Sequence, residues 1–163
     1  MKFRLPKQGF SLIELLVVLT ISLTLVSTAL VGYRKFSERR ILSDSLGEIR
    51  DQLRLARSRA IHGEKPDSAG IPPDTCNQLL SYRVEIEVVA GGTDKIVSVP
   101  VCSRGDGPRK EHEIVGVSLS PVSGWPITIL ALEGTVSQAA VLNVSYGSNP
   151  PGSVTVGISG NIE

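Results

Sequence analysis

A long stretch of almost uncharged sequence near the N-terminus limits what this chain can fold into. Residues from Phe10 to Gly32 read FSLIELLVVLTISLTLVSTALVG, with one charged residue, Glu14, and no proline. A helix over this stretch would be about 34 Å long, and the apolar core of a bilayer is about 30 Å thick. We therefore expect this segment to lie in a membrane, or to cross one, at some stage.

Three interpretations of this segment follow from its residues. The first is a secretory signal that is cleaved near Ser27-Thr28-Ala29, where small residues cluster. The second is an ordinary membrane anchor, in which an unpaired Glu14 carboxylate costs up to about 3 kcal/mol at the bilayer centre. The third gives Glu14 a function, because an ionisable residue within a membrane segment usually has a partner there.

Basic residues flank the apolar segment on both sides, so the charge distribution does not give its orientation. The basic residues before it are Lys2, Arg4 and Lys7, and those after it are Arg34, Lys35, Arg39 and Arg40.

Length and composition exclude several classes of protein. The chain has 163 residues and a net charge of +1, which fits about one domain. Aromatic residues make up 4% of the chain, too few for surfaces that stack bases or sugars. Two cysteines are too few for a four-cysteine zinc site. The chain also has two histidines, which makes most metal and general-base chemistry improbable. No pattern of nucleophile and base, phosphate loop or paired catalytic carboxylates is present, so we expect neither an enzyme nor a cofactor.

The helix is predicted to continue beyond the apolar segment, from Tyr33 to Ile61, and to end at the stop signals Gly63 and Pro66. Apolar residues recur there at spacings of four and three, which places them on one helical face: Leu42, Leu46, Ile49, Leu53, Ala56 and Ala60. Four arginines, Arg50, Arg54, Arg57 and Arg59, lie largely off this stripe. Such a basic face could contact phosphate headgroups or nucleic acid. We interpret it instead as a solvated face beside lipid headgroups, or as one that pairs with acids of neighbouring subunits.

The rest of the chain is predicted to form a β-rich head. Leu80–Ala90 and Ile96–Cys102 have strand character and are joined by a turn at residues 90–94, and Pro100 would suit a sheet edge or a bulge. Further strands are predicted over 113–120, 126–132, 139–146 and 153–159. A long N-terminal helix packed on an antiparallel sheet makes the fold class α+β.

Cys76 and Cys102 are the candidate pair for a disulfide, which an extracytoplasmic location of the head would permit. No metal site is expected from Cys76, Cys102, His62 and His112, since no two of these candidate ligands are close together in the sequence. Asp106 is followed by few acids, so a surface turn is favoured there over a calcium loop.

The stretch from Lys7 to Leu15, KQGFSLIEL, resembles the type IV prepilin signature: a short basic leader ending in Gly, then Phe, and Glu as the fifth residue of an apolar run. The resemblance implies that a prepilin peptidase cuts after Gly9 on the cytoplasmic side and N-methylates Phe10. It also implies an inner-membrane protein with its leader inside and its head outside. The implied organisation is a leader at 1–9, a transmembrane half-helix at 10–32, an amphipathic half-helix at 33–62 and a head at 63–163.

This resemblance offers a physical role for Glu14. Cleavage would create a positive amine on Phe10, one helical turn before Glu14. The amine of an incoming subunit would pair with Glu14 of a neighbour. Because leaving one partner of a buried pair alone costs several kcal/mol, the pair would favour one axial offset between subunits.

The C-terminal part, from Ile127 through LEGTVS, AVLNVSY and SVTVGISGNIE, is similar to the GspH/FimT group of minor pseudopilins and minor pilins. The group's glycines would here be Gly134 and Gly160. Some FimT-like members bind DNA through basic residues near the C-terminus. Residues 111–163 contain no Lys or Arg, so nucleic acid is not expected as a partner.

The sequence as a whole favours a structural subunit of a type II secretion system or a type IV pilus, assembled with other pilins or pseudopilins into a filament or its tip. The alternative is a pilus-tip adhesin or a DNA-uptake subunit, which predicts salt-sensitive DNA binding. A secreted hydrolase is a third hypothesis, and it predicts a mature N-terminus near Leu30 rather than Phe10.

Overall fold

The structure is a computed structural model that describes residues 11–65, 76–147 and 149–163, without the side chain of Val31. Its first element is a helix, α1, Leu12–Ile61, of 50 residues. The contacts divide the chain into two compact units, with the boundary between Ser37 and Glu38. A long N-terminal helix followed by antiparallel sheets confirms the α+β fold class.

Helix α1 ends at the predicted stop signal. Gly63 has a φ of +60°, the left-handed conformation that glycine adopts without steric cost. Its N–H donates to the Ala60 carbonyl at 3.1 Å, and the Glu64 N–H donates to the Arg59 carbonyl at 2.9 Å. These two bonds form a Schellman motif, which satisfies carbonyls that the helix end would otherwise leave unpaired.

The predicted apolar stripe of α1 packs into the core of the head. Ile49, Leu53, Ala56 and Ala60 are at most 3% exposed, and Leu42 and Leu46 are partly buried against the same core. The amphipathic pattern therefore identified the buried face of the second half of α1 correctly.

The larger sheet has five antiparallel strands. Their order is β3-β2-β1-β6, and β4 pairs with β2 on the same side as β3. The strands are β1 (Leu79–Glu87), β2 (Asp94–Cys102), β3 (Gly105–Asp106), β4 (Lys110–Ile114) and β6 (Ile127–Leu130). Strands β1 and β2 form the predicted hairpin.

The smaller sheet has three antiparallel strands in the order β5-β7-β8. They are β5 (Ser118–Ser123), β7 (Ala140–Ser145) and β8 (Gly152–Val156). The core joins the α1 stripe to inward side chains of both sheets, including Val84, Leu142 and Val154.

The prediction of one strand over 113–120 is wrong. The structure places β4 and β5 there, in different sheets, with Gly116 between them at a φ of +84°. This left-handed residue reverses the chain and lets it move from one sheet to the other. The strand predicted over 126–132 also ends early, at Leu130, because Leu132 has a φ of 67° and forms a turn.

Pro100 lies in an inner strand of the larger sheet, where the sequence predicted an edge or a bulge. The β4 partner of β2 ends opposite Ser98, and the β3 partner begins opposite Val101. Pro100 lies in the gap between them, and its carbonyl accepts from the Gly107 N–H at 2.8 Å. Proline is tolerated there because no strand at this gap requires its missing N–H.

Candidate assembly helix and head surfaces

In the part of the first unit that the structure describes, α1 has an apolar segment whose large side chains are exposed within this chain. Twelve large apolar side chains between Leu12 and Leu30 are 48–82% exposed. The helix is long and apolar enough to cross a membrane, with a mean hydropathy of 2.3 over its best window, none of which is buried in the chain. Exposed apolar surface of this extent marks contact with lipid or with protein.

Four of the hydroxyl groups in this segment donate to carbonyls within the helix itself. Thr20 donates to the Val17 carbonyl at 2.8 Å, and Thr24 donates to the Ile21 carbonyl at 2.8 Å. Ser27 and Thr28 make equivalent bonds one turn back. Because these four donors already have acceptors, burying the segment in lipid or in a helix bundle leaves none of the four unpaired.

Glu14 lies in the first turn of α1 and is exposed within this chain. It is the one ionisable residue between Ser11 and Gly32. The N-terminal end of the helix dipole favours a carboxylate at this position. The spacing Ser11-Leu12-Ile13-Glu14 is also that of a capping box. No hydrogen bond or ion pair joins Glu14 to another residue that the structure describes.

Comparison with known families finds a match at the N-terminal end of the chain. Residues 4–30 match the prokaryotic N-terminal methylation motif. The match supports a type IV pilin-like protein and fits a pilin or pseudopilin that a prepilin peptidase processes. Together with the apolar helix, it is consistent with membrane anchoring and with a structural subunit. Gly9 and Phe10, the predicted cleavage and methylation residues, lie inside the matched range but outside the residues that the structure describes.

No curated protein matches the chain, and no solved structure does.

In the head, a disulfide joins Cys76 and Cys102, with their Cα atoms 5.0 Å apart. Cys102 is the last residue of β2 and is 4% exposed, so the bond ties the segment before β1 to the core. The Nδ1 atom of His62 contacts the Ser58 carbonyl at 2.7 Å. No group of three or more metal-ligating side chains occurs among the described residues.

Asp106, the acid that a calcium loop would have used, is engaged with an arginine. Its Oδ2 accepts from Arg83 Nη2 at 2.5 Å, and Arg83 Nε donates to Glu85 at 2.7 Å. The hydrogen bond that Arg83 donates to Asp106, and next the one that it donates to Glu85, raise the pKa of its guanidinium. The Arg104-Gly105-Asp106 tripeptide therefore does not present a free carboxylate.

Glu111 and Glu113, the other acids near Asp106 in the sequence, form ion pairs with Lys95. The Lys95 Nζ atom lies 3.0 Å from Glu111 and 3.3 Å from Glu113 across the β2–β4 pair. The hydrogen bond that Lys95 donates to Glu111, and next the one that it donates to Glu113, raise the pKa of Lys95. The hydrogen bond from Lys95 in turn lowers the pKa of Glu111.

Arg57 departs from the solvated arginine face that the sequence indicated. Its Nε donates to the Gly134 carbonyl at 3.1 Å, and its Nη2 donates to the Ser159 carbonyl at 2.9 Å. Gly134 and Gly160, at φ values of +67° and +78°, form the two turns that meet this side chain. A Cβ on Gly160 would lie 2.3 Å from the Gly134 carbonyl oxygen.

The two glycines that the sequence singled out are therefore close together, at a point where the turns have no room for side chains. The contribution of Arg57 had no sequence signal, because it depends on carbonyls 77 and 102 residues away.

Proposed function

We propose that this chain is a minor pilin-like subunit of the GspH/FimT type, which acts in a type II secretion system or a type IV pilus. The match to the methylation motif, followed directly by an exposed apolar helix, is the observation on which this proposal depends. The turns at Gly134 and Gly160 support the assignment to the GspH/FimT type.

The proposed processing follows from the motif. A prepilin peptidase cuts after Gly9 and methylates the new amine on Phe10. The leader, 1–9, is cytoplasmic, and residues 10–32 anchor the chain in the inner membrane. Residues 33–62 continue the helix outside it, and residues 63–163 form a periplasmic or extracellular head. Other pilins or pseudopilins and the membrane lipid contact the helix.

The mature N-terminus tests the processing step. We expect mass spectrometry of the protein from cells with a prepilin peptidase to show a chain that starts at an N-methylated Phe10. Gly9→Leu should leave the leader in place, and Gly32→Leu is the matched control that should be processed normally. A start near Leu30 would identify a secretory signal, and an intact Met1 an ordinary anchor, so either result would overturn the proposal.

The assembly step has a separate test. A tagged copy should co-purify with other pilins or pseudopilins of the same cell after mild cross-linking. A processed, membrane-inserted chain that is recovered without any such subunit would contradict the assembly role and leave the processing step intact.

A further inference from the structure

A cleft in the head lies where β6 stops covering β1. Strand β1 pairs with β2 as far as Glu87, but its pairing with β6 ends at Val84, opposite Ile127. Among the described residues, no strand pairs with Glu85–Glu87 on that side. The open cleft has a volume of about 420 Å³ and is lined by Glu85, Ile86, Pro121, Trp125 and Pro126. This part of β1 therefore has a free backbone edge.

The wall opposite this edge is held in place. The Trp125 Nε1–H donates to the Val141 carbonyl at 3.0 Å, and Gln138 donates to the Gly124 carbonyl at 3.0 Å. Gly124 has a φ of +74°, and a Cβ there would lie 2.1 Å from the Ala139 carbonyl oxygen. Because its N–H already has an acceptor, Trp125 offers the cleft its ring rather than a donor.

The other strand edges beside the cleft are covered. The outward Leu119 N–H of β5 donates to Asp94 Oδ2 at 2.7 Å, and Pro121 has no N–H to offer. The outer side of β6 is bonded through the Ser137 N–H to the Thr128 carbonyl at 2.8 Å. A strand that approaches the cleft would therefore meet the free edge of β1 at Glu85–Glu87.

The charge near the cleft is negative. Arg83 is shared between Glu85 and Asp106, and Arg109 pairs with Glu87, so these five side chains carry a net charge of −1. The Glu85 side chain is 31% exposed. The range from Glu64 to Glu163 contains six Lys/Arg residues and eleven Asp/Glu residues, so its net charge is −5. No Lys or Arg follows Lys110. This field favours a cationic partner.

We propose that this cleft binds an extended, basic peptide segment of a partner protein. The segment pairs its backbone with the free edge of Glu85–Glu87, as in strand addition to a sheet. One of its Arg or Lys side chains lies over the Trp125 ring and next to the Glu85 carboxylate, where cation–π attraction and the opposite charge act together. The two prolines line the cleft with apolar surface that has no N–H to compete for the segment.

Trp125 is the one tryptophan in the sequence, so its fluorescence reports binding at this cleft directly. We would titrate the full-length protein, in non-ionic detergent micelles, with the acetylated and amidated peptide TVRVRVT. A saturable shift of Trp125 emission is expected. The acidic peptide TVEVEVT should give no saturable shift.

Two variants distinguish the cleft from general attraction between charges. Glu85→Gln should weaken binding of TVRVRVT about threefold, the effect of losing one exposed ion pair. Glu133→Gln removes the same charge at an exposed site whose described contact is the Thr135 hydroxyl, and it should leave the affinity unchanged. A peptide N-methylated at its valines should bind much more weakly, because it cannot pair with a strand.

Three results would overturn the proposal. The first is the absence of a saturable emission change with TVRVRVT. The second is equal weakening by Glu85→Gln and Glu133→Gln, which would mean binding by overall charge only. The third is unchanged affinity of the N-methylated peptide, which would remove the backbone pairing. None of these results depends on whether the chain is processed after Gly9.

Discussion

Asp94 is a buried charged residue that connects the two sheets of the head. It is 5% exposed, and its two carboxylate oxygens accept from different backbone groups. Oδ1 accepts from the Val89 N–H at 2.9 Å, and Oδ2 accepts from the Leu119 N–H at 2.7 Å. One side chain therefore satisfies the end of β1 and an outward donor of β5.

We expect Asp94→Ala to lower the free energy of unfolding by about 3 kcal/mol, because it leaves two partly or fully buried N–H groups without an acceptor. The measurement is urea unfolding of the full-length protein in detergent, followed by Trp125 emission. Glu133→Ala, at an exposed site, is the control and should change stability by less than about 0.5 kcal/mol. A loss as small as the control's would show that Asp94 does not connect the sheets energetically.

Leu132 combines a left-handed backbone with an exposed side chain. Its φ is 67°, and the side chain is 76% exposed. A non-glycine residue in this conformation costs on the order of 1–2 kcal/mol, and little packing is recovered here.

We therefore expect Leu132→Gly to raise the free energy of unfolding by about 0.5–1 kcal/mol, the strain relieved less the extra freedom of glycine in the unfolded chain. Leu130→Gly is the matched control, because Leu130 lies in β6 and is 41% exposed. It should destabilise by about 1 kcal/mol. If both variants destabilise in the same urea assay, the strain at Leu132 is not significant.

At the scale of elements, the β2–β4 pair is linked across its outer face by Lys95, Glu111 and Glu113. The lowered pKa of Glu111 means that the folded state favours its ionised form. Its stabilising contribution is therefore present above the ordinary glutamate pKa and is lost as the pH falls through the lowered pKa. The group is exposed, so we expect this effect on stability to be small.

The pKa of Glu111 is a more direct measurement of this ion pair than the stability of the protein. In Lys95→Gln, the pKa of Glu111 should rise toward its ordinary value, because the main hydrogen bond that lowers it is lost. Carboxyl chemical shifts in an NMR pH titration of the full-length protein would follow it. Arg109→Gln is the control, since Arg109 contributes the weakest of the named effects on Glu111. A larger rise in Arg109→Gln than in Lys95→Gln would contradict the assignment.

Local patterns predicted the elements that depend on local rules. The end of α1 at Gly63, the buried stripe through Leu53 and the β1–β2 hairpin needed spacing and turn residues alone. The break at Gly116 was missed because valines on both sides continue the strand pattern. The cleft at Ile86 was also missed, since it depends on where β6 ends and on Trp125, which is distant in sequence.

At the scale of the whole molecule, the two units have opposite surface chemistry. The first exposes apolar side chains from Leu12 to Leu30, and the second has a buried core and an acidic head. An exposed apolar surface of this kind is stable only when lipid or other helices cover it. Glu14 is the one ionisable residue between Ser11 and Gly32, so the proposed assembly depends most strongly on it.

The register hypothesis predicts that Glu14→Ala separates membrane insertion from assembly. Insertion should survive, because removing a charge makes the segment more apolar. Co-purification with other pilins or pseudopilins should fall about tenfold or more, since the Phe10 amine of an incoming subunit would lack its buried partner. Thr20→Val, at a hydroxyl that is bonded within the helix, is the control and should leave both measurements unchanged. Membrane fractionation and quantitative cross-linked co-purification are the readouts.

If Glu14→Ala assembles as well as Thr20→Val does, the carboxylate does not set the offset between subunits, and its place in the first turn is explained by the helix dipole alone.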